Sequence, residues 1–325
     1  MTLVVKRKNM VKTPVLFETF VREDYARKVF DVIKKAQPQK LYFYSNKGRN
    51  KDNEIERNNN IRSWVNEIDW NCELHTFFRE ECVDVYTSLK GAVDWVFETE
   101  NSVIVLEDDV VPTIAFFDFC DQMIEKFKND RRVWHVSGDN FGNNNPSGYD
   151  YIFSQYHWMY GWATWRDRWQ SVPWDNPQIE EFIKSNTYRQ LYKTKKQAKY
   201  QENQISELCD FLHRTKCWDY LFGLAADQNN SCGVYPAKHL VTNIGLSGTH
   251  HKKTIKTFVN NEASYNGDHY IIEKEPPFVF ADTEYDYLCF KMRFTLRKRF
   301  RLFVRKIILN LFGKIALEKI KKIVH

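Results

Sequence analysis

Ser102-Val-Ile-Val-Leu-Glu-Asp-Asp109 is the stretch on which the fold of this chain is decided. Val103 to Leu106 is an unbroken apolar run, which fits a central strand covered on both faces. Glu107, Asp108 and Asp109 follow at once, and Pro112 stops the extension. In parallel α/β sheets a ligand lies at the carboxyl ends of the strands. Carboxylates crowded at such a place repel one another unless a cation joins them. A hard divalent ion that also grips a diphosphate suits the location, because it neutralises charge developing on a leaving nucleoside diphosphate. Acidic triplets also serve as helix starts or solvated surface. The apolar strand in front of this one is what favours a site.

Working outward, strand and helix patterns alternate. Residues 14–20 and 41–44 read as strands, with a helix from Asp24 to about Ala36 between them. A helical stretch at 61–68, a strand at 72–78 and a helix at 85–98 lead to the decisive strand. A helix over 116–127 and a strand over 133–137 come after it. This alternation predicts βαβ units, hence an α/β fold with a mostly parallel sheet flanked by helices. After Asn140 the character changes. Residues 141–148 form a Gly/Asn/Pro loop, 151–174 is dense in aromatics, 177–216 is polar and helix-leaning like an insertion or lid, and 234–249 returns to strand and loop.

The 325 residues include 10 Trp, 17 Tyr and 24 Phe, enough for a large core and for aromatic walls of a cleft. From Asp286 to His325 there are 12 Lys/Arg against 2 Asp/Glu, whereas residues 1–285 carry a net charge of −4. An acidic body argues against a nucleic-acid partner. The 7 cysteines are scattered without a C-x-x-C pair, a pattern that predicts reduced thiols rather than a disulfide framework or zinc site. No signal-length apolar stretch follows the basic N-terminus, and no run is long enough to span a bilayer. The expected location is the cytoplasm.

Several segments, in order, carry a resemblance: Pro14-Val-Leu with Arg22 in the next turn, residues 82–98, Val103-Ile-Val-Leu-Glu-Asp-Asp109, Phe116-Phe117, Trp134-His-Val-Ser-Gly-Asp-Asn140, Gly161-Trp162, Trp218-Asp219 and Gly248-Thr-His250. Over about 14–251 the chain resembles the GT-A (Rossmann-like) glycosyltransferases related to N-acetylglucosaminyltransferase I, together with bacterial and viral nucleotide-diphospho-sugar transferases sharing that core. The resemblance implies a GT-A domain over 1–285, with a donor half at about 12–140, an acceptor half at about 141–285 and the helical insertion at about 177–216. It implies Asp109 as the direct ligand of Mn2+ or Mg2+, with Glu107 and Asp108 shaping the donor site and Arg22 against the nucleotide base. Asp219 would be the general base that deprotonates the acceptor hydroxyl, and the anomeric carbon would be inverted in a single in-line displacement. The family's carboxylate after the second strand is absent here. That turn is Ser45-Asn46-Lys47-Gly48, where Lys47 can meet a phosphate or a base carbonyl. The family's paired acids after the tryptophan are also reduced to one, so Asp227 stands as the alternative base.

Other residues have two readings each. Asp139 and Asn140 can hydrogen-bond sugar hydroxyls or form a polar turn. Tyr160, Gly161 and Trp162 can wall the acceptor or sugar pocket, with Gly161 letting a ligand approach the backbone. Trp158, Trp162, Trp165 and Trp169 are spaced as one face of a core helix, and Trp165 and Trp169 are expected in the core. His250 is expected at the site and His157 in a structural role. Lys193 to Lys199 reads as a solvated helix face or a lid over an anionic donor.

The tail, 286–325, has a basic amphipathic helical pattern. Leu296, Phe300, Phe303, Val304, Ile307, Ile308 and Leu311 fall along one face, with Arg297, Lys298, Arg301 and Arg305 mostly outside it. It suits an anionic membrane surface, here the inner face. Packing on the domain and oligomerisation use the same pattern.

The sequence thus points to a metal-dependent transferase that moves a sugar from a nucleotide-sugar donor, a UDP-sugar favoured, to a glycan or lipid-linked acceptor. A catalytically silent GT-A domain that binds glycan or protein is the rival. A nucleotidyltransferase would carry a Gly-rich phosphate loop near the first strand, and none occurs between Pro14 and Ala36.

Overall fold

A computed structural model of the chain describes residues 11–141, 144–176, 178–212, 217–245 and 262–293, with the backbone alone over 206–212. The expected alternation is present. β1 (Val15–Thr19), α1 (Glu23–Ala36), β2 (Lys40–Ser45), α2 (Glu54–Ser63), β3 (Glu73–Phe78), α3 (Val85–Val96) and β4 (Ser102–Glu107) follow in order. Their strands lie as β3-β2-β1-β4, all parallel, so four carboxyl ends meet along one edge. The chain continues through β5 (Val110–Pro112), α4 (Ile114–Phe127), β6 (Val133–Ser137), β7 (Tyr151–Ser154), β8 (Trp162–Trp165) and α5 (Arg166–Gln170). It then forms α6 (Ile179–Ser185), α7 (Lys195–Leu212), α8 (Trp218–Gln228), β9 (Cys232–Pro236), β10 (Val241–Asn243) and α9 (Thr283–Arg293).

The large sheet runs β3-β2-β1-β4-β8-β6-β9-β7, and β5 pairs separately with β10. β8 is antiparallel to both β4 and β6, and β7 is antiparallel to β9. The expectation of a mostly parallel sheet is therefore corrected: the α/β fold has a mixed sheet. The reversal comes from β7 and β8, four-residue strands with no crossover helix between them to impose a common direction.

Alternation along the strands sorts the core onto two faces. Leu16, Tyr42, Tyr44, Val103 and Val105 pack with Leu89 and Val93 of α3 and with Trp218 and Phe222 of α8. Val15, Phe17, Phe43, Ile104 and Leu106 pack with Val29 and Phe30 of α1 and with Phe116 and Phe119 of α4. The tryptophan spacing that reads as a helix is a strand running into a short helix. Trp162 and Trp165 are three apart on β8, so they enter opposite faces. Trp162 is fully buried and stacks on Trp218 with centroids 5.3 Å apart. It belongs to the core and does not wall a pocket. Trp162→Ala should accordingly cost about 3–5 kcal/mol, read from urea unfolding. A pocket-wall residue would shift that value by less than about 0.5 kcal/mol.

The polar insertion holds α6, a 3-10 turn (Thr187–Leu191) and α7. Two of its lysines are ion-paired, Lys193 with Glu284 and Lys199 with Glu202. α9 opens the basic tail, whose remaining residues lie outside the described ones. Among the described residues no helix is long and apolar enough to cross a membrane.

Candidate functional site

β1 and β4 are neighbours in parallel register, with Glu18 opposite Glu107. Glu18 comes two residues after Leu16, and Glu107 two after Val105. Strand alternation therefore turns both toward the α3 and α8 face. Ser88 of α3 donates its hydroxyl to Glu18 Oε1 at 2.8 Å. The Ser88 hydroxyl also lies 3.3 Å from that of Tyr44, which Arg79 Nε contacts in turn. Sequence reading passed over Glu18. The available signal was an acid at an inward position of an otherwise apolar strand.

Asp108 and Asp109 occupy the turn from β4 to β5. Arg22, in the last position before α1, lies across both of them. Its Nη1 donates to Asp109 Oδ2 at 2.6 Å and its Nη2 to Asp108 Oδ1. The small β5/β10 sheet fixes this turn, and Ile244 N–H donates to the Asp109 carbonyl at 2.8 Å. A Cβ at Gly245 would collide with Asp109 Oδ2, so the missing side chain is what lets the two segments come this close. The Asp109 side chain is 16% exposed against 3% for Asp108, and so it is the one open to a ligand.

Four carboxylates thus gather at two strand ends around one guanidinium. Burial, reinforced by the Asp108 charge, pushes Glu18 up to about 8. Burial and then the Asp109 charge hold Glu107 well above the ordinary range. Burial raises Asp108 to about 6, even with Arg22 pulling the other way. For Arg22, burial works against the charge, but Asp108 and Asp109 outweigh it and keep the guanidinium firmly protonated. The cluster carries more negative charge than one arginine balances. Among the described residues Asp108 Oδ2 is buried without a hydrogen-bond partner. Hard oxygen donors with an unused buried oxygen fit Mn2+ or Mg2+, held by one or two carboxylates and completed by phosphates and water. Among the described residues no group of three or more His, Cys, Asp or Glu side chains is placed to hold a metal ion.

The other expected site residues divide into those near this edge and those built into the fold. Asp219 is half-buried in the first turn of α8, its Oδ1 accepting from Tyr220 N–H at 2.9 Å and lying 3.1 Å from Cys217 Sγ. The adjacent Trp218 stacks on Trp162, which pairs with Val105 two residues before Glu107. The start of α8 therefore lies at the same sheet edge and on the same face as Glu18 and Glu107. Asp227 is eight residues further along, about 12 Å down the helix axis. There it is buried against His157 Nε2 at 3.3 Å. His157 Nδ1 meets His135 Nε2 at 3.2 Å, so His157 sits in a buried polar chain, the structural role expected of it. Lys47 is half-buried just past the carboxyl end of β2.

Asn140 is fully buried and staples the loops. Its Nδ2 donates to the carbonyls of Asn144, Pro236 and Ala237, and its N–H to His239 Nδ1. Those bonds use the amide that was expected to read a sugar. Asp139 is buried beside His239, with 3.0 Å between Oδ1 and Nδ1. Gly161 has φ +56°, and a Cβ there would meet Val241 Cγ1 at 2.8 Å. Its carbonyl accepts from Gly138 N–H at 2.7 Å, so the close approach at Gly161 is to protein. Tyr160 is half-buried against the core. His250 lies outside the described residues. An open depression of about 510 Å³, lined by residues 49–56, 59 and 60, contains none of Glu18, Glu107, Asp108 and Asp109.

No protein-family model matches the chain, and no curated protein does. Among solved structures, the mannosyltransferase PcManGT from Pyrobaculum calidifontis, in complex with GDP-Man and Mn2+, is similar over 50% of this chain, at 13% identity and a TM-score of 0.34. The match spans 46% of that enzyme, less than half its length. HddC from Yersinia pseudotuberculosis is similar over 50% of this chain and 80% of its own, at 9% identity and a TM-score of 0.27. A putative glucose-1-phosphate thymidylyltransferase from Bacillus anthracis, in complex with a sucrose, is similar over 53% and 74%, at 8% identity and a TM-score of 0.26. The likeness is at low identity and partial coverage and singles out no family.

Proposed function

We propose that this chain is an inverting, metal-dependent glycosyltransferase that moves a sugar from a nucleotide-diphosphate donor, a UDP-sugar favoured, to a hydroxyl of a glycan or glycolipid. One observation carries the reading: Glu18, Glu107, Asp108 and Asp109 crowd the carboxyl ends of β1 and β4, and among the described residues Arg22 alone is ion-paired with them. An excess of this kind is relieved by a divalent cation. The sequence resemblance supports the same roles. Asp109, the more exposed of the two aspartates, would hold Mn2+ or Mg2+. The ion would offset charge on the departing nucleoside diphosphate.

Arg22 and Lys47 face the donor in this reading, with Glu107 and Asp108 shaping its sugar or ribose end. Asp219 takes the proton of the acceptor hydroxyl from the face opposite the diphosphate. Asp139, Tyr160 and His250 remain second-tier candidates for the sugar or acceptor side. The basic tail holds the chain to an anionic membrane where lipid-linked acceptors lie.

A silent binding domain is the second reading, favoured by Arg22, whose guanidinium already lies across both aspartates. The two separate in a thermal-shift screen of nucleoside diphosphates and nucleotide sugars with and without Mn2+. A metal-dependent shift for one base, followed by release of its diphosphate on incubation, is expected of the enzyme. Binding of glycan with no nucleotide-dependent shift would decide for the silent domain. Asp219→Asn should lower kcat by roughly 100- to 10,000-fold and leave the nucleotide shift intact. Equal activity of that variant would remove Asp219 from the mechanism.

A further inference from the structure

Residues 274–282 border β7, the outer strand of the large sheet, and are pinned to the chain around it at both ends. The Lys274 carbonyl accepts from Asp150 N–H, and Asp282 N–H donates to the Phe153 carbonyl, each at 2.8 Å. Between these anchors Val279 packs on the core, while Phe278 and Phe280 on either side of it are 70% and 76% exposed. Pinned ends and an inward valine hold the two rings outward. Large aromatic side chains displayed this way on a short, fixed bow call for a partner surface.

The neighbouring charges and the chain that follows indicate which surface. Glu275 is paired with Lys126, Glu284 with Lys193, and Asp282 caps α9 by accepting from the N–H groups of Glu284 and Tyr285. The local acids, Glu273 apart, are thus already engaged. α9 starts directly after the bow and leads into residues 294–325, which contain 10 Lys/Arg and a single acid, Glu318, among regularly spaced Phe, Leu and Ile. Two exposed rings and a basic amphipathic segment are joined by one short helix.

We propose that Phe278 and Phe280 insert into the interfacial region of an anionic lipid bilayer, as the apolar half of a two-part anchor whose electrostatic half is the tail. Stable attachment to a bilayer takes two signals, and Phe is suited to the acyl boundary. The inference rests on reading the tail as membrane-directed, so each half is tested separately in the full-length chain.

Co-sedimentation is measured with vesicles of phosphatidylcholine alone and with one-third phosphatidylserine. The unaltered chain should bind the phosphatidylserine vesicles and lose binding in high salt. Phe278→Ser with Phe280→Ser should reduce the partition coefficient at least 10-fold while the melting temperature is unchanged. Replacing Arg297, Lys298, Arg299 and Arg301 by Gln should abolish the preference for phosphatidylserine. If the phenylalanine variant binds as the parent does and the arginine/lysine variant does not, the tail alone is the anchor and the insertion is refuted. If neither change matters, the tail reading fails as well. If the phenylalanine variant melts lower or changes from dimer to monomer in solution, the rings pack on the tail or on a second copy, which also overturns the proposal.

Discussion

Asp109→Asn is expected to remove sugar transfer by roughly 1,000-fold or more, while the protein melts at or above the temperature of the parent. The loss corresponds to about 4 kcal/mol of transition-state stabilisation, the scale on which a metal ion offsets developing charge. Structure survives because the turn is held by its main chain. The Asp109 carbonyl is bound by Ile244 N–H, and Arg22 retains Asp108. Stability rises if anything, because Asp109 is the chief charge acting on buried Glu107. Activity and stability should therefore move in opposite directions, which a merely structural acid would not produce. Transfer at more than a tenth of the parent rate, assayed with the donor identified by the thermal-shift screen, would sink the metal role.

The second large effect concerns Glu18. Its carboxyl is pushed up to about 8 in the folded chain, against an ordinary value of 4.5. The folded state holds this proton after the unfolded state has lost it. Stability is therefore full below about pH 4.5 and declines as pH rises through about 8. The penalty at high pH is on the order of a few kcal/mol. Asp108, raised to about 6, and Asp286, buried under Ser154 and raised to about 7, act with the same sign. His135 opposes them. Burial, then the neighbouring His157, holds it well below 6.5, so its contribution is lost as pH falls beneath that value.

In the metal-free protein the raised acids outnumber His135, so melting temperature should fall from about pH 5 toward pH 8.5. Glu18→Gln keeps a partner for the Ser88 hydroxyl and carries no charge. It should melt about 2–8 °C higher than the parent at pH 8.5 and no differently at pH 5. Scanning calorimetry with a chelator present reads this directly. Identical slopes for the two proteins between pH 6.5 and 8.5 would mean that Glu18 is not held in its neutral form.

The first half of the fold was legible because its signals are local. Unbroken apolar strands alternate with helical patterns, and each strand from β1 to β4 lies within a residue or two of its expected place. β7 and β8 were missed because four-residue aromatic strands imitate helical spacing, as Trp162, Trp165 and Trp169 do. The acidic triplet could be read for the same reason as the strands: three acids abut an apolar run. Glu18 could not, since its importance comes from standing opposite Glu107, and register between strands 89 residues apart is not written in either one. The second role of Arg22, as a clamp on the aspartates, was hidden in the same way. Asn140 and Gly161 have residue types that suit a ligand, but their partners in the fold come from far along the chain.

β8 has a consequence for how this chain is made. It is wedged between β4 and β6, which come before it, and no contact of those two strands with each other can stand in for it. A nascent chain that has delivered everything through β6 still exposes the open edge of β4, directly beside the acids. Such an edge recruits other strands. Chaperone demand during synthesis should therefore peak while residues 138–161 emerge and fall once Trp162–Trp165 has closed the gap.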